Sequence, residues 1–116
     1  MIRVKLERRA SDGAIVRYRV TGHAEYDVSG KDIVCAAVSA VSVGTVNAVE
    51  ALTGVRLKAS MRHGDLDVAI PDELPQDAAD KVQLLLSSML VMLQSIEESY
   101  GKYITINDST IMNRRR

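Results

Sequence analysis

The feature that most constrains the fold is a long segment, Ile33–Leu52, that is rich in Ala, Val and Ser and contains no turn signal. It is too long for an ordinary strand, which has roughly 3–10 residues. Asp32 before it is a good helix N-cap, and Gly54 after it is a good C-terminal stop. Although Val is a poor helix former, the segment therefore predicts a helix. Because it is apolar on nearly every side, we expect it to be sandwiched between layers or packed on a second subunit.

Alternating apolar and polar residues precede this helix. Ile2, Val4 and Leu6 alternate with charged residues and predict a strand with one buried face. Ser11-Asp12-Gly13 supplies hairpin turn chemistry. The second strand then carries two sets of side chains on opposite faces, Val16, Tyr18 and Val20 on one and Ile15, Arg17 and Arg19 on the other.

Three strands and a second helix are predicted in the rest of the chain. Val55–Ala59 and Leu66–Ile70 alternate as strands on either side of a turn at Arg62–Asp65. Helical spacing of apolar residues follows from about Asp77 to Tyr100, and Tyr103–Asn107 is a last strand. The order ββαββαβ predicts an α+β fold, a two-layer sandwich of one mixed sheet and two helices. With 116 residues, the chain is expected to form a single domain, residues 1–116.

Charge and cysteine content narrow the functional class. Fifteen basic and fifteen acidic residues cancel, which gives no bulk attraction to nucleic acid or to an anionic membrane. The one cysteine, Cys35, cannot form an internal disulfide and suits a reducing compartment. The first residues alternate like a strand and do not resemble a signal sequence, and unbroken apolar runs are shorter than the roughly 18 residues of a membrane span. We therefore expect a cytoplasmic protein that does not insert into a membrane.

Two residues suggest catalysis. His23 ends the second strand, and Cys35 lies in the first turn of the helix that follows Asp32. Backbone N–H groups and the positive end of the helix dipole favour a thiolate at this position. A neighbouring imidazole can accept its proton, and nearby N–H groups can stabilise an oxyanion. These are the components of an acyl-transfer site, although the residues alone fit an inert buried cysteine equally well.

Four further residues surround this pair. Asp32 is favoured as the N-cap, with orientation of His23 as its alternative role. Ser39, one helical turn after Cys35, either supports the thiolate or is a small residue that allows close packing. Gly22 and Gly30 meet backbone demands such as a positive φ or the close approach of a substrate.

Three short stretches occur here at fixed spacing: Gly22-His23-Ala24, then Gly30 and Asp32, then Val34-Cys35-Ala36-Ala37-Val38-Ser39. Together they resemble the signature of the ribosomal-processing cysteine protease family, abbreviated Prp, and the order of elements is similar along nearly the whole chain. The resemblance implies that His23 and Cys35 are the catalytic pair and that the protein is a homodimer. It also implies the substrate, the twenty-seventh large-subunit ribosomal protein, from which a short N-terminal extension is removed.

Two other functions compete with this interpretation. A basic sheet face would suit a ribosome-associated binding module that docks RNA or an acidic partner; its residues are Arg3, Lys5, Arg17, Arg19, Arg56 and Lys58. Acidic neighbours and the lack of stacking aromatics favour instead a solvated face with cross-strand ion pairs, without direct nucleic-acid binding. A thiol-dependent hydrolase acting on small molecules would use the same His23 and Cys35.

A metal site is not favoured. His23-Ala24-Glu25 resembles half of a zinc deaminase signature, but the Pro-Cys-x-x-Cys half is missing. One cysteine and two histidines do not supply a closed zinc site. We predict that the protein uses neither a metal nor another cofactor.

Overall fold

A computed structural model describes residues 1–23 and 32–111, and within these ranges it contains five strands and two helices. In chain order they are β1 (Ile2–Arg9), β2 (Ile15–Thr21), α1 (Ile33–Thr53), β3 (Lys58–Arg62), β4 (Asp65–Ala69), α2 (Gln76–Tyr100) and β5 (Ile104–Ile111). The strands form one sheet in the order β3-β4-β2-β1-β5. Since β1 and β5 are parallel and the other pairs antiparallel, the predicted α+β fold with a mixed sheet is confirmed.

The core lies between one face of the sheet and the two helices. On β1 the side chains of Ile2, Val4 and Leu6 are buried, while the intervening Arg3 and Lys5 are exposed. The helices cover the buried face with aliphatic side chains, namely Val34, Val38 and Val49 from α1 and Val82, Leu86, Met89, Leu90 and Leu93 from α2. Val, Leu, Ile and Met thus fill the core of a chain that has no Phe or Trp.

Tyr18 ties the middle of β2 to α1. Its side chain is fully buried, and its hydroxyl donates to the carbonyl oxygen of Ser42 at 2.9 Å. Burial raises the pKa of this phenol because the ionised form would lose its hydration. The hydrogen bond satisfies a polar group that would otherwise be costly to bury.

Ile15 departs from the sequence pattern, which assigned it to the outer face with Arg17. It is fully buried, because the register of β1 against β2 shifts between Glu7 and Arg8 so that Arg8 pairs with Ile15. The extra residue turns Ile15 inward, as a β-bulge does. Gln83 of α2 compensates the interrupted ladder: it accepts from the N–H of Ile15 at 2.8 Å and donates to its carbonyl at 2.9 Å.

Two predicted strand boundaries also differ. The third strand begins at Lys58 and not at Val55; Arg56 lies before it and pairs with Glu50 at the end of α1, at 3.2 Å. The last strand continues to Ile111, since β5 pairs with the whole length of β1.

Helix α1 has the predicted caps. Asp32 precedes its first turn, and Gly54 closes it with a left-handed φ of 77° and an N–H that donates to the carbonyl of Glu50. Its most apolar 18-residue window has a mean hydropathy of 1.7, so length and composition alone would allow it to cross a membrane. The core helix of a water-soluble protein passes the same test. Only 28% of that window is buried in this chain, which leaves apolar surface for a further partner.

Candidate active site

The first turn of α1 fixes the position of Cys35. Asp32 accepts through Oδ1 from the N–H groups of Val34 and Cys35, at 3.0 and 3.1 Å. Through Oδ2 it accepts a hydrogen bond from the half-buried thiol of Cys35 at 3.3 Å. A carboxylate is an acceptor only, so this contact is a hydrogen bond when the thiol of Cys35 is protonated. That proton must move to a base before the sulfur can attack a substrate.

The same cap restricts where an oxyanion could be stabilised. The N–H groups of Val34 and Cys35 are bound by the Asp32 side chain, and that of Ala36 donates to the Asp32 carbonyl at 3.1 Å. The sequence had suggested N–H groups near Cys35 as oxyanion donors. These three are already engaged in the helix cap, so they do not serve as donors while the cap is intact.

The strand end that carries His23 requires glycine at position 22. Gly22 has a φ of 84°, which side chains with a Cβ rarely adopt. A Cβ added there would also overlap the carbonyl oxygen of Met1. The backbone of His23 is held from the same side, because the Met1 ammonium donates to the His23 carbonyl at 2.6 Å. Gly22 therefore has the positive φ that the sequence suggested, and it also lies close to the backbone of Met1.

The turn between β3 and β4 supports His23 from the other side. His63 and Gly64 form a two-residue turn with φ values of 54° and 82°, and positive φ at both central residues is what a tight hairpin favours. A Cβ added at Gly64 would lie 3.8 Å from Cε1 of His23, so the imidazole rests on this turn. Asp65 accepts from the N–H of Gly22 at 3.2 Å. The imidazole-bearing residue itself is exposed.

The structure therefore brings Asp32 to Cys35 and sets His23 on the β3–β4 turn. Ser39 is exposed on α1, one turn beyond Cys35. Gly30, with the rest of residues 24–31, lies outside the described residues. Gly64 and Asp65 were not identified from the sequence, because their place beside His23 depends on the pairing of β2 with β4.

Two surface depressions lie at different places relative to the candidate site residues. A groove of about 280 Å³ on the sheet borders the β3–β4 turn and is lined by Arg62, His63 and Asp65 among others. A larger cleft of about 460 Å³ lies between the β1–β2 turn and the start of α2. Of the sequence-predicted site residues that the structure describes, none lines the larger cleft.

Part of the basic sheet face is ion-paired, at Arg17 and Arg19. Arg17 donates to Asp67 through Nε and Nη2, and the guanidinium of Arg19 lies 3.6 Å from the same carboxylate. The hydrogen bond from Arg17 holds the pKa of Asp67 below its usual value. This arrangement matches the solvated, ion-paired face that the sequence favoured over an RNA-docking surface.

Comparison with known proteins places these features in one family. The sequence model described as cysteine protease Prp matches residues 1–105. The ribosomal processing cysteine protease Prp of Bacillus subtilis is 37% identical over 106 residues, which cover 90% of this chain and 95% of that protein. The protein of the same name from Staphylococcus aureus strain Mu50 is 38% identical over 96 residues, which cover 83% and 89%.

Solved structures agree. The S. aureus ribosomal processing protease Prp with a covalently linked product peptide superposes with a TM-score of 0.84 at 36% identity, covering 94% of this chain and all of the other. The same protease with a substrate peptide gives a TM-score of 0.79 at 35% identity, with coverage of 94% and 100%. SMU.848 from Streptococcus mutans gives 0.80 at 31% identity, with 96% of each chain covered. On the evidence of sequence and fold together, this chain belongs to the Prp family of cysteine proteases.

Proposed function

We propose that this protein is a cysteine endopeptidase that removes the N-terminal extension of a ribosomal protein precursor, the twenty-seventh protein of the large subunit, in the cytoplasm. Cys35 is the nucleophile and His23 the general base. The observation that carries the proposal is the position of the Cys35 sulfur, half-buried in the first turn of α1 beside Asp32, in a chain of the Prp family. A helix start is a position at which a thiolate is favoured.

The proposed reaction starts from the thiol form of Cys35. His23 takes the thiol proton, and the sulfur attacks the scissile carbonyl carbon to form a tetrahedral oxyanion. When the C–N bond breaks, His23 returns the proton to the departing amine, which leaves a thioester on Cys35. Water, deprotonated by His23, then hydrolyses the thioester, and the thiol regains its proton. Each cycle consumes one water and needs neither metal nor redox cofactor.

A peptide substrate is supported by the relatives. The S. aureus protease has been solved with a substrate peptide and with a covalently linked product peptide. The relatives from B. subtilis and S. aureus carry the name ribosomal processing protease. In this chain the groove beside the β3–β4 turn offers polar groups next to His23 for an extended peptide.

The substrate assignment is tested with the organism's own ribosomal protein. Incubation of the enzyme with the precursor should release one N-terminal peptide, and the two product masses should add up to the precursor plus one water. A precursor with a scrambled extension of the same composition is the matched control and should stay intact. Cleavage of both, or of neither, would argue against processing of a specific extension.

We also propose that the protein is a homodimer that packs through its two helices. The groove between α1 and α2, about 250 Å³, is lined by small residues of α1 and by Leu85 and Met92 of α2. Leu84 and Val91 on the same helix are 70% and 61% exposed. Apolar surface of this kind is commonly covered by a second copy about a twofold axis.

Charges placed on this surface should separate the subunits. Light scattering of the wild-type protein should give twice the chain mass at micromolar concentration. The double variant Leu84→Glu, Val91→Glu should give the monomer mass, because two carboxylates would have to be desolvated at the contact. Gln94→Glu, exposed on the same helix, should remain dimeric. A wild-type monomer would contradict the proposal.

A further inference from the structure

We propose that Asp65 is a positioning residue for His23, acting through the backbone of Gly22. This inference rests on the proposed function, in which His23 is the general base. Asp65 begins β4, and its Oδ1 accepts a hydrogen bond from the N–H of Gly22 at 3.2 Å. Gly22 directly precedes His23, whose ring rests on Gly64, the neighbour of Asp65. One hairpin therefore binds the backbone of the residue before the base and lies beside the imidazole of the base.

The carboxylate of Asp65 provides a hydrogen-bond acceptor at the point where the pairing of β2 with β4 ends. The last paired residues of β2 and β4 are Val20 and Leu66, and β2 itself ends at Thr21. Beyond that point Gly22 turns to a φ of 84° and has left the extended conformation that a ladder hydrogen bond requires. Asp65 supplies an acceptor for its N–H at this position, so the chain stays attached to the sheet for one more residue.

His23 depends on this attachment because its own side chain is not anchored in the core. The residue is exposed, so the direction of its ring is set by the backbone at Gly22 and by the surface of the turn at Gly64. A general base must come within about 2.6–3.2 Å of the proton it removes. A misplacement of about 1 Å can cost on the order of 100-fold in rate.

The proposed role needs an acceptor oxygen but not a negative charge. Asparagine offers a carbonyl oxygen in the position of Oδ1, so Asp65→Asn should keep the hydrogen bond to Gly22. Alanine and valine remove it. Valine suits a strand start better than alanine and gives a second removal variant should Asp65→Ala fold poorly.

Asp12 provides a matched control at the opposite end of β2. Its Oδ1 accepts from the N–H of Ala14 at 3.0 Å in the β1–β2 turn. Asp12→Ala therefore also removes an aspartate that holds a turn backbone. Comparison with Asp65→Ala separates loss of stability from loss of positioning.

The experiment measures kcat, KM and the pH profile of precursor cleavage for these variants, together with amide hydrogen exchange at Gly22. Asp65→Ala and Asp65→Val should lower kcat by about 10-fold or more, with KM nearly unchanged, because the base is displaced. Asp65→Asn should restore kcat to within about 3-fold, since the acceptor is retained. The shape of the pH profile should stay constant, exchange at Gly22 should quicken only in the removal variants, and Asp12→Ala should leave kcat unchanged.

Two results would overturn the inference. Wild-type kcat in both removal variants would show that His23 does not need Asp65. An Asp65→Asn variant as slow as Asp65→Ala, with a shifted pH profile, would show that the charge acts and not the acceptor. Failure of the proposed function looks different: the wild-type protein would then leave the precursor uncleaved, or His23→Ala would keep full activity. Exchange at Gly22 would still report whether the hydrogen bond forms.

Discussion

The two ends of β2 use their polar side chains differently. At the β1–β2 turn the charged groups pair with one another: Arg9 with Asp12 at 2.9 Å, and Arg8 with Asp108 at 2.8 Å. At the His23 end, the side chain of Asp65 accepts from a backbone N–H, as Asp12 does from Ala14, but it has no arginine partner among the described residues. The imidazole-bearing residue is left exposed. At the first end the charged side chains are paired with one another. At the second end the carboxylate anchors the backbone, and the imidazole of His23 stays accessible.

Cavity size does not distinguish the end of β2 that carries His23. The larger cleft lies beside the ion-paired β1–β2 turn, and the smaller groove borders the turn on which His23 rests. In the larger cleft, Arg9 and Asp12 already neutralise each other. The two ends therefore differ in whether their polar side chains are already paired. Variants at the two ends should for this reason have different effects on activity and on stability.

The largest expected effect is at Cys35. Cys35→Ser should reduce precursor cleavage to background, a loss of about 10³-fold or more, because a hydroxyl is a far weaker nucleophile than a thiolate at neutral pH. The free energy of unfolding should hardly change, since Ser has nearly the same size and can donate to Asp32 as the thiol does. Product masses and a urea titration measure both quantities. Wild-type cleavage by this variant would show that Cys35 is not the nucleophile.

His23 should come next. His23→Ala should slow cleavage by roughly 10²–10⁴-fold, the usual contribution of a general acid–base group. The limb of the pH–rate profile that depends on the general base should vanish as well. His63→Ala, in the adjacent turn, is the control and should retain that limb. A profile that keeps its limb without His23 would assign the base to another group.

Variants of Asp32 distinguish its role as a helix cap from a role in the reaction. Asp32→Ala should cost about 1 kcal/mol of stability because the first turn loses its acceptor, whereas Asp32→Asn should cost little, since asparagine caps as well as aspartate. If capping is the main role, the asparagine variant should also cleave within about 5-fold of wild type, less than the loss for a general acid–base group. Thermal unfolding and kcat are the measurements. A stable but inactive Asp32→Asn protein would show that its carboxylate takes part in the reaction.

Local patterns predicted most of the fold. The N-cap at Asp32, the stop at Gly54 and the alternation along β1 each depend on neighbouring residues, so the elements and their order could be read from the sequence. The inward turn of Ile15 could not, because it follows from a shift in the pairing with β1. The family resemblance implied His23 and Cys35 as the catalytic pair, and the preference of Asp for N-caps pointed to Asp32; all three are close in sequence. Asp65 was missed because it meets Gly22 only through the β2–β4 pairing.

The smallest expected effect is at the ion-paired end, where Asp12→Asn should change acid stability but not activity. The hydrogen bond from Arg9 lowers the pKa of Asp12, so the charged form is favoured in the folded state. Its stabilisation is therefore fully present above the unfolded pKa, about 3.9, and is lost as pH falls through the lower folded value. Asparagine can still accept from the N–H of Ala14, so only the charge pairing is removed. Urea titrations should find the variant slightly less stable at pH 7 and equal to wild type well below pH 4, with kcat the same throughout. A difference that persisted at low pH would mean that the loss of stability does not come from the charge pairing with Arg9.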